Sequence, residues 1–136
     1  MSMVYKISAV TLLIRDMKRS CDFYSKIPGF RLVYGGPERL FTSYEIGKNT
    51  LVYINLQLLK SDNRNHDEHL KNFLKIILHT DDVDSLYLYF KNDKVISSLI
   101  SFENEPTNAS WGERYFHIRD PDGYLLSFAR TIGQKD

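Results

Sequence analysis

Short segments of alternating apolar and polar residues run along this chain, and two of them lead into a helical pattern. Residues 7–14 (ISAVTLLI) predict a strand. Asp16 then stands at the N-cap position of a helix whose residues Met17, Cys21 and Tyr24 recur at i, i+4 and i+7. The first part of the chain is therefore predicted to be a strand followed by a helix.

The same order returns in the second half. Residues 74–78 again predict a strand, and Asp82 precedes a helix that carries Val83, Leu86 and Phe90 at i, i+3 and i+7. Because the order of strand, aspartate cap and helix recurs, the two halves are predicted to share one local architecture.

A constant offset relates the two halves. The capping aspartates, Asp16 and Asp82, are 66 residues apart (82 minus 16). The same offset matches further positions of like character: Leu12 with Leu78, Met17 with Val83, Phe23 with Tyr89, and Tyr24 with Phe90. The chain is therefore predicted to contain an internal structural repeat.

Three strand-like segments follow each predicted helix. They lie at 30–34, 40–46 and 51–56 in the first half, and at 96–102, 115–119 and 124–130 in the second. We predict one α+β domain, 1–136, made of two βαβββ modules at about 5–58 and 74–131, with a polar connector at about 59–73. Two such modules would form a curved mixed sheet around a groove.

A turn signal near the C-terminus separates the last two predicted strands. In Asp120-Pro121-Asp122-Gly123, the proline fixes φ, the aspartates can bond to backbone, and the glycine tolerates positive φ. Alternation places Phe116 and Ile118 on one face of the preceding strand, and Tyr115, His117 and Arg119 on the other. Each strand of this hairpin is predicted to bury one face and to leave the other open.

Composition narrows the function classes. The net charge of +1 comes from 18 basic and 17 acidic residues spread along the chain, so no strong field draws the protein to nucleic acid. The lone Cys21 cannot form an internal disulfide, and no apolar run is long enough to cross a bilayer. With no signal-peptide pattern at the start, we expect a cytoplasmic protein that binds neither membrane nor nucleic acid.

Three segments together carry a family resemblance: VTLLIRDMKRSCDFY at 10–24, ILHTDDVDSLY at 77–87, and RDPDGYLLSF at 119–128. Their order and spacing resemble the vicinal oxygen chelate superfamily of glyoxalases, bleomycin resistance proteins and extradiol dioxygenases. The resemblance implies a homodimer. It also implies, for enzymatic members, a divalent metal held by His, Glu or Gln from the first and last strands of each module.

The positions that hold the metal in such enzymes fall on four residues of this chain: Ala9, Tyr53, Lys75 and Ser127. Alanine has no donor atom, lysine is a cation, and neutral hydroxyls are weak ligands. We therefore expect no metal, no other cofactor and no catalytic residue of the usual kind. The chain is identified as similar to the metal-free, bleomycin-resistance-like members.

The four histidines offer alternative metal ligands. His66 and His69 could share a helical face in the polar connector, where surface solvation is the other interpretation. By alternation His79 and His117 are candidates for the groove, either as ligands or as hydrogen-bonding groups. Lys75 could bind an anionic group of a ligand. Alternatively, its aliphatic stem could pack against the apolar wall of the groove while its ammonium stays in water.

The leading hypothesis is a metal-free protein that binds a small aromatic or anionic molecule in the groove. Its predicted ligand-binding residues are Tyr53, Lys75, His79, Trp111, His117 and Ser127. Lys75 argues against bleomycin, which is a bulky cation. Two alternatives stay open: a metal-dependent lyase, isomerase or dioxygenase with a rearranged site, and a non-catalytic interaction module.

Overall fold

The structure is a computed structural model that describes residues 1–60, 72 and 74–133. The chain divides into two compact units, Met1–Asn65 and His66–Asp136, and the division falls inside the predicted connector. Each unit has its own sheet and helical layer, which confirms the predicted α+β class with two repeated modules. The single domain and the groove shared by the modules stay predictions.

The first unit has the predicted βαβββ order. Its elements are β1 (Ala9–Ile14), α1 (Met17–Tyr24), β2 (Arg31–Tyr34), β3 (Phe41–Ile46) and β4 (Val52–Leu58). The strand order across the sheet is β1-β4-β3-β2, with β1 parallel to β4 and the other pairs antiparallel. The first and last strands of the module therefore lie side by side.

Alternation along these strands decides which side chains form the core of the first unit. The buried residues are Leu12, Ile14, Tyr44, Ile54 and Leu56 from the strands, with Met17, Cys21, Phe23 and Tyr24 from α1. Burial of each large apolar side chain contributes about 1.5–3 kcal/mol. The opposite face of the sheet carries the residues between them.

The second unit repeats this plan with one extra helix and a divided strand. Its elements are β5 (Lys75–His79), α2 (Val83–Asn92), α3 (Lys94–Leu99), β6 (Ser101–Phe102), β7 (Thr107–Ala109), β8 (Glu113–Arg119) and β9 (Leu125–Thr131). The strand order is β5-β9-β8-β6, and β7 also pairs with β8. Again the first and last strands of the module are parallel neighbours.

Both helices that follow a first strand begin as predicted. Asp16 accepts a hydrogen bond from the backbone N–H of Arg19 at 3.0 Å, and Asp82 accepts one from Ser85 at 3.0 Å. Each aspartate thereby satisfies one of the free N–H groups at the start of its helix. The offset of 66 residues is therefore a repeat of structure as well as of sequence.

The predicted strand at 96–102 is wrong for most of its length. Residues 94–99 form α3, and only Ser101 and Phe102 are in a strand. The cause is Asp93, whose side chain accepts hydrogen bonds from the N–H groups of Val95 and Ile96 at 3.0 and 2.9 Å. This cap starts a new helical turn that the β-branched residues alone would not favour.

The hairpin of β8 and β9 confirms the predicted apolar face, where Phe116 and Ile118 are buried together with Leu126 and Phe128 of the paired strand. The ring of Phe90 in α2 meets Phe116 and Phe128 edge to face, with centroids 5.9 and 5.3 Å apart. Helix α2 therefore covers this face of the sheet. The prediction that the other face stays open is wrong for part of β9, because the small side chains of Ser127 and Ala129 are 4% and 0% exposed.

No helix in the described ranges, 1–60, 72 and 74–133, has the length and apolar character needed to cross a membrane.

Candidate functional site

The uncovered face of the second sheet carries a pocket of about 370 Å³. Its lining comes from β5, β8, β9 and the residue two positions before β8: Lys75, Ile77, Trp111, Glu113, Tyr115, His117 and Ser127. These side chains share a face because residues two apart on a strand point the same way. The volume lies within the range of about 300–1,000 Å³ that is usual for small-molecule sites.

Strand register places Ser127 at the centre of this lining. In β9 it is paired on one side with His117 of β8 and on the other with Ile77 of β5. Lys75 lies two residues before Ile77, on the same face of β5. With Trp111, the structure therefore brings four of the six predicted site residues into one lining, namely Lys75, Trp111, His117 and Ser127.

The polar side chains of Lys75, His117 and Ser127 have no hydrogen-bonding or ion-pair partner among the described residues. Ser127 is only 4% exposed, yet its hydroxyl forms no hydrogen bond with any described residue. Neither the imidazole of His117 nor the ammonium of Lys75 has a hydrogen bond or ion pair within the described ranges. Buried polar groups are normally satisfied, so the arrangement can accept a ligand or solvent.

The pKa of His117 lies below its ordinary value of 6.5. Burial is the main cause, and the positive charge of Lys75 adds to it. Glu103 acts in the opposite direction, and Arg119 makes a further lowering contribution. Near neutral pH, His117 therefore presents a neutral ring with one donor and one acceptor nitrogen.

The other end of the pocket is aromatic and acidic. The Trp111 ring lies nearly parallel to that of Tyr115, with centroids 6.2 Å apart and 20° between planes. The indole Nε1 of Trp111 donates to Oε1 of Glu113 at 3.1 Å, and Nε2 of His79 lies 3.4 Å from Oε2. Of the predicted residues, Trp111 is thus in the lining, while His79 reaches the site through Glu113.

Tyr53 lies in the first unit, on the uncovered face of that sheet. Its hydroxyl donates to Oε2 of Glu45 at 3.1 Å, and Arg31 binds Oε1 of the same carboxylate at 3.1–3.2 Å. The hydrogen bond to Glu45 is the main cause of a raised pKa at Tyr53. The contact of Tyr53 with a ligand stays a prediction.

Register also refines the comparison of metal-ligand positions between the units. Ala9 and Tyr53 are direct neighbours across β1 and β4, but Lys75 pairs with Leu125, and Ser127 pairs with Ile77. The register equivalent of Tyr53 is therefore Leu125. None of these side chains is a strong ligand for a divalent cation.

The histidines do not supply the missing ligands within the described residues. No group of three His, Cys, Asp or Glu side chains in ranges 1–60, 72 and 74–133 could hold a metal ion. His66 and His69 lie outside those ranges. The donor set that is described does not fit a divalent metal.

The predicted ligand-binding set missed three residues of the lining, Ile77, Glu113 and Tyr115, although Tyr115 was placed on the face of His117. Strand β8 begins at Glu113, two residues before the predicted start at Tyr115. Extending the alternation of Tyr115 and His117 backwards would have placed Glu113 on their face. The alternation of Lys75 likewise implies Ile77.

Comparison with known proteins agrees with this fold. A model of the Glyoxalase/Bleomycin resistance protein/Dioxygenase superfamily matches residues 6–128. The uncharacterized protein YwbC of Bacillus subtilis strain 168 is 28% identical over 135 residues, which is 93% of this chain and 98% of that protein. The chain therefore belongs to the glyoxalase/bleomycin resistance protein/dioxygenase superfamily.

Solved structures show the same fold. A superfamily member from Sphaerobacter thermophilus DSM 20745 has a TM-score of 0.65 at 23% identity, with coverage of 94% of this chain and 98% of that one. A glyoxalase-related enzyme from Fulvimarina pelagi has a TM-score of 0.65 at 16% identity, with coverage of 93% and 88%. At these identities the likeness concerns the fold alone.

Proposed function

We propose that this protein binds a small organic molecule in the pocket of its second unit, without a metal ion, and that binding is its activity. The observation that carries the proposal is Ser127, a residue only 4% exposed, whose hydroxyl has no partner among the described residues and which lines a pocket of about 370 Å³. A ligand that accepts or donates a hydrogen bond there would gain about 0.5–1.5 kcal/mol.

The absence of a metal in the proposal follows from the donor set. Lys75 stands where the superfamily's enzymes hold a metal ligand, and its charge would repel a divalent cation at this point. Ser127 offers a neutral hydroxyl, which is a weak ligand. These residues suit direct contacts to an organic molecule better than coordination.

Trp111 gives the experiment a local signal, because it is the single tryptophan of the chain and lines the pocket. The protein is dialysed against a chelator, its metal content is measured, and a broad panel of small molecules is titrated while tryptophan fluorescence and thermal stability are followed. We expect saturable fluorescence changes with raised stability. Ser127→Leu, which fills the pocket with an apolar side chain, should abolish both and keep the circular dichroism of the fold.

Two outcomes would replace the proposal. Stoichiometric metal that survives dialysis and is lost on replacing His79 or His117 would favour a metal-dependent enzyme with a rearranged site. If no compound in the panel binds, the interaction module becomes the better interpretation.

We also propose a cytoplasmic homodimer, as the family resemblance and the lone Cys21 predict, and sedimentation equilibrium tests the oligomeric state.

A further inference from the structure

We infer that the ligand is an aromatic carboxylate, bound with its carboxylate against Lys75 and Ser127 and its ring against Trp111 and Tyr115. This inference rests on the proposed function, because it names the chemical class that the same pocket would take. It depends on the different character of the two ends of the lining: one carries hydrogen-bond donors and a cation, and the other carries aromatic rings.

The first end offers donors that have no acceptor in the part of the chain that the structure describes. The Lys75 ammonium and the Ser127 hydroxyl can each donate to a carboxylate oxygen, and neither is engaged by a described residue. His117 is paired with Ser127 across the two strands and can donate one further N–H. Hydrogen bonds with a charged partner are about twice as strong as neutral ones, so an anionic ligand would gain the most from these three donors.

Lys75 is the cation that remains available at this end. Arg119 shares the face of His117, but its Nε lies 3.5 Å from Oε1 of Glu103 and one guanidinium nitrogen donates to the carbonyl of Gly123 at 3.1 Å. The charge of Arg119 is therefore largely balanced by Glu103. A ligand anion would meet the positive charge of Lys75.

The second end offers ring surface. Trp111 is 64% exposed and nearly parallel to Tyr115, and the Tyr115 ring in turn lies 4.7 Å from that of His117. The three rings form a continuous wall that ends beside the anion-binding groups. An aromatic ligand would cover this wall and gain both apolar burial and ring contacts.

Glu113 determines the orientation of the ligand. Its carboxylate lies at the ring end, where it accepts from Trp111 and is 3.4 Å from His79. A ligand carboxylate placed there would face a like charge, whereas at the other end it meets Lys75. The pocket therefore directs the anion to the Lys75 end and leaves the ring at the Trp111 end.

The test uses 3-phenylpropionate and its neutral amide, 3-phenylpropanamide, which have the same ring and chain. Their dissociation constants are measured by calorimetry at low salt, with benzoate and 4-phenylbutyrate as shorter and longer acids. We expect the acid to bind about tenfold more tightly than the amide. Lys75→Met should remove this preference and leave the affinity for the amide unchanged, while Trp111→Ala should weaken both ligands by similar factors.

Lys94→Met is the matched control, because it removes the same charge from the same unit at a helix position outside the pocket lining. It should leave the preference for the acid intact. Equal binding of acid and amide by the unaltered protein, or a preference that survives Lys75→Met, would overturn the inference and leave the proposed function standing. If neither the acids nor the amide bind, and no compound of the broad panel binds either, the proposed function itself would be overturned.

Discussion

The uncovered faces of the two sheets differ in how their polar side chains are satisfied. In the first unit, Tyr53 and Arg31 both bind Glu45, and Asn55 donates to Thr11 at 3.2 Å. In the second unit, by contrast, three lining residues have no described partner: Lys75, His117 and Ser127. Ser43 and Gln57 on the open face of the first sheet also have no described partner. The repeat has therefore kept the same backbone plan, and the difference is that in the second copy the unpartnered groups line a pocket.

Register makes this difference specific. Thr11 and Asn55 are neighbours across β1 and β4, just as Ile77 and Ser127 are neighbours across β5 and β9. In the first unit the pair forms its own hydrogen bond, but Ile77 cannot bond to Ser127. The two pairs differ at both positions, and with the aliphatic Ile77 as its neighbour in β5 the Ser127 hydroxyl has no described partner.

The two β-hairpins that close the units differ as well. In the second unit, the buried carboxylate of Asp120 accepts hydrogen bonds from the N–H groups of Asp122 and Tyr124 at 2.9 and 2.8 Å. In the first unit, the turn between β3 and β4 uses Gly47 at φ 112°, a conformation open mainly to glycine. The second turn also has a glycine at positive φ, Gly123 at 96°, so the buried acceptor Asp120 is what distinguishes it from the first.

The largest expected effect is on the turn of the second unit. Asp120→Ala leaves two buried N–H groups without their acceptor, so we expect the free energy of unfolding to fall by about 2–4 kcal/mol. Chemical denaturation measures it. Asp120→Asn keeps an oxygen at the Oδ1 position and should lose much less; equal losses for both variants would show that charge, not hydrogen bonding, holds the turn.

The next effect tests the turn of the first unit. An alanine Cβ at Gly47 would clash with the carbonyl oxygen of Thr50, in addition to the strain of positive φ. We expect Gly47→Ala to cost about 2–3 kcal/mol of unfolding free energy. Gly29→Ala is the control, since Gly29 also has positive φ but no atom within 4 Å of the added Cβ. Equal costs would mean that strain alone matters at Gly47.

Much of this fold could be predicted because its signals are local. The aspartate caps at Asp16 and Asp82, the alternation in β8 and β9, and the turn at 120–123 each depend on residues within a few positions of one another. The strand predicted at 96–102 was wrong because Asp93 was not recognised as a cap. A single side chain there outweighed the β-branched character of the segment.

The candidate site was less predictable because it depends on pairing between distant strands. Alternation was enough to put Lys75, His117 and Ser127 on the open face. It could not show that Tyr53 would bond to Glu45, which depends on the register of β3 and β4. Nor could it show that Ser127 would be left without a described partner, since that depends on Ile77 and His117 on either side.

A smaller effect should separate the two helix caps. Asp16→Ala and Asp82→Ala each remove an N-cap, which costs about 0.5–2 kcal/mol of unfolding free energy. We expect Asp82→Ala to cost more, because Asp82 also accepts from the Ser85 hydroxyl at 2.8 Å. Asparagine at either position should preserve most of the stability. If Asp16→Ala proves the costlier change, the additional bond from Ser85 contributes nothing measurable.

The smallest effect is a pH dependence that belongs to the second unit. The first 65 residues contain no histidine, whereas His117 has a lowered pKa caused by burial and by Lys75, with Glu103 opposing and Arg119 contributing. At pH values between 6.5, the ordinary pKa of histidine, and the lowered pKa of His117, this side chain binds a proton in the unfolded chain but not in the folded protein. Stability should therefore fall as pH decreases through this window and level off below it.

Denaturation of the protein and of His117→Asn at pH 7.5 and 5.5 measures this contribution directly. Asparagine does not titrate, so the variant should lose less stability on acidification than the unaltered protein, and the difference between their losses belongs to His117. High salt should reduce that difference in part, because Lys75 is exposed and its charge is screened, while the contribution of burial remains. An identical loss of stability in both proteins would mean that the environment of His117 favours the charged ring as much as water does. The contrast between the two open faces would then not extend to His117.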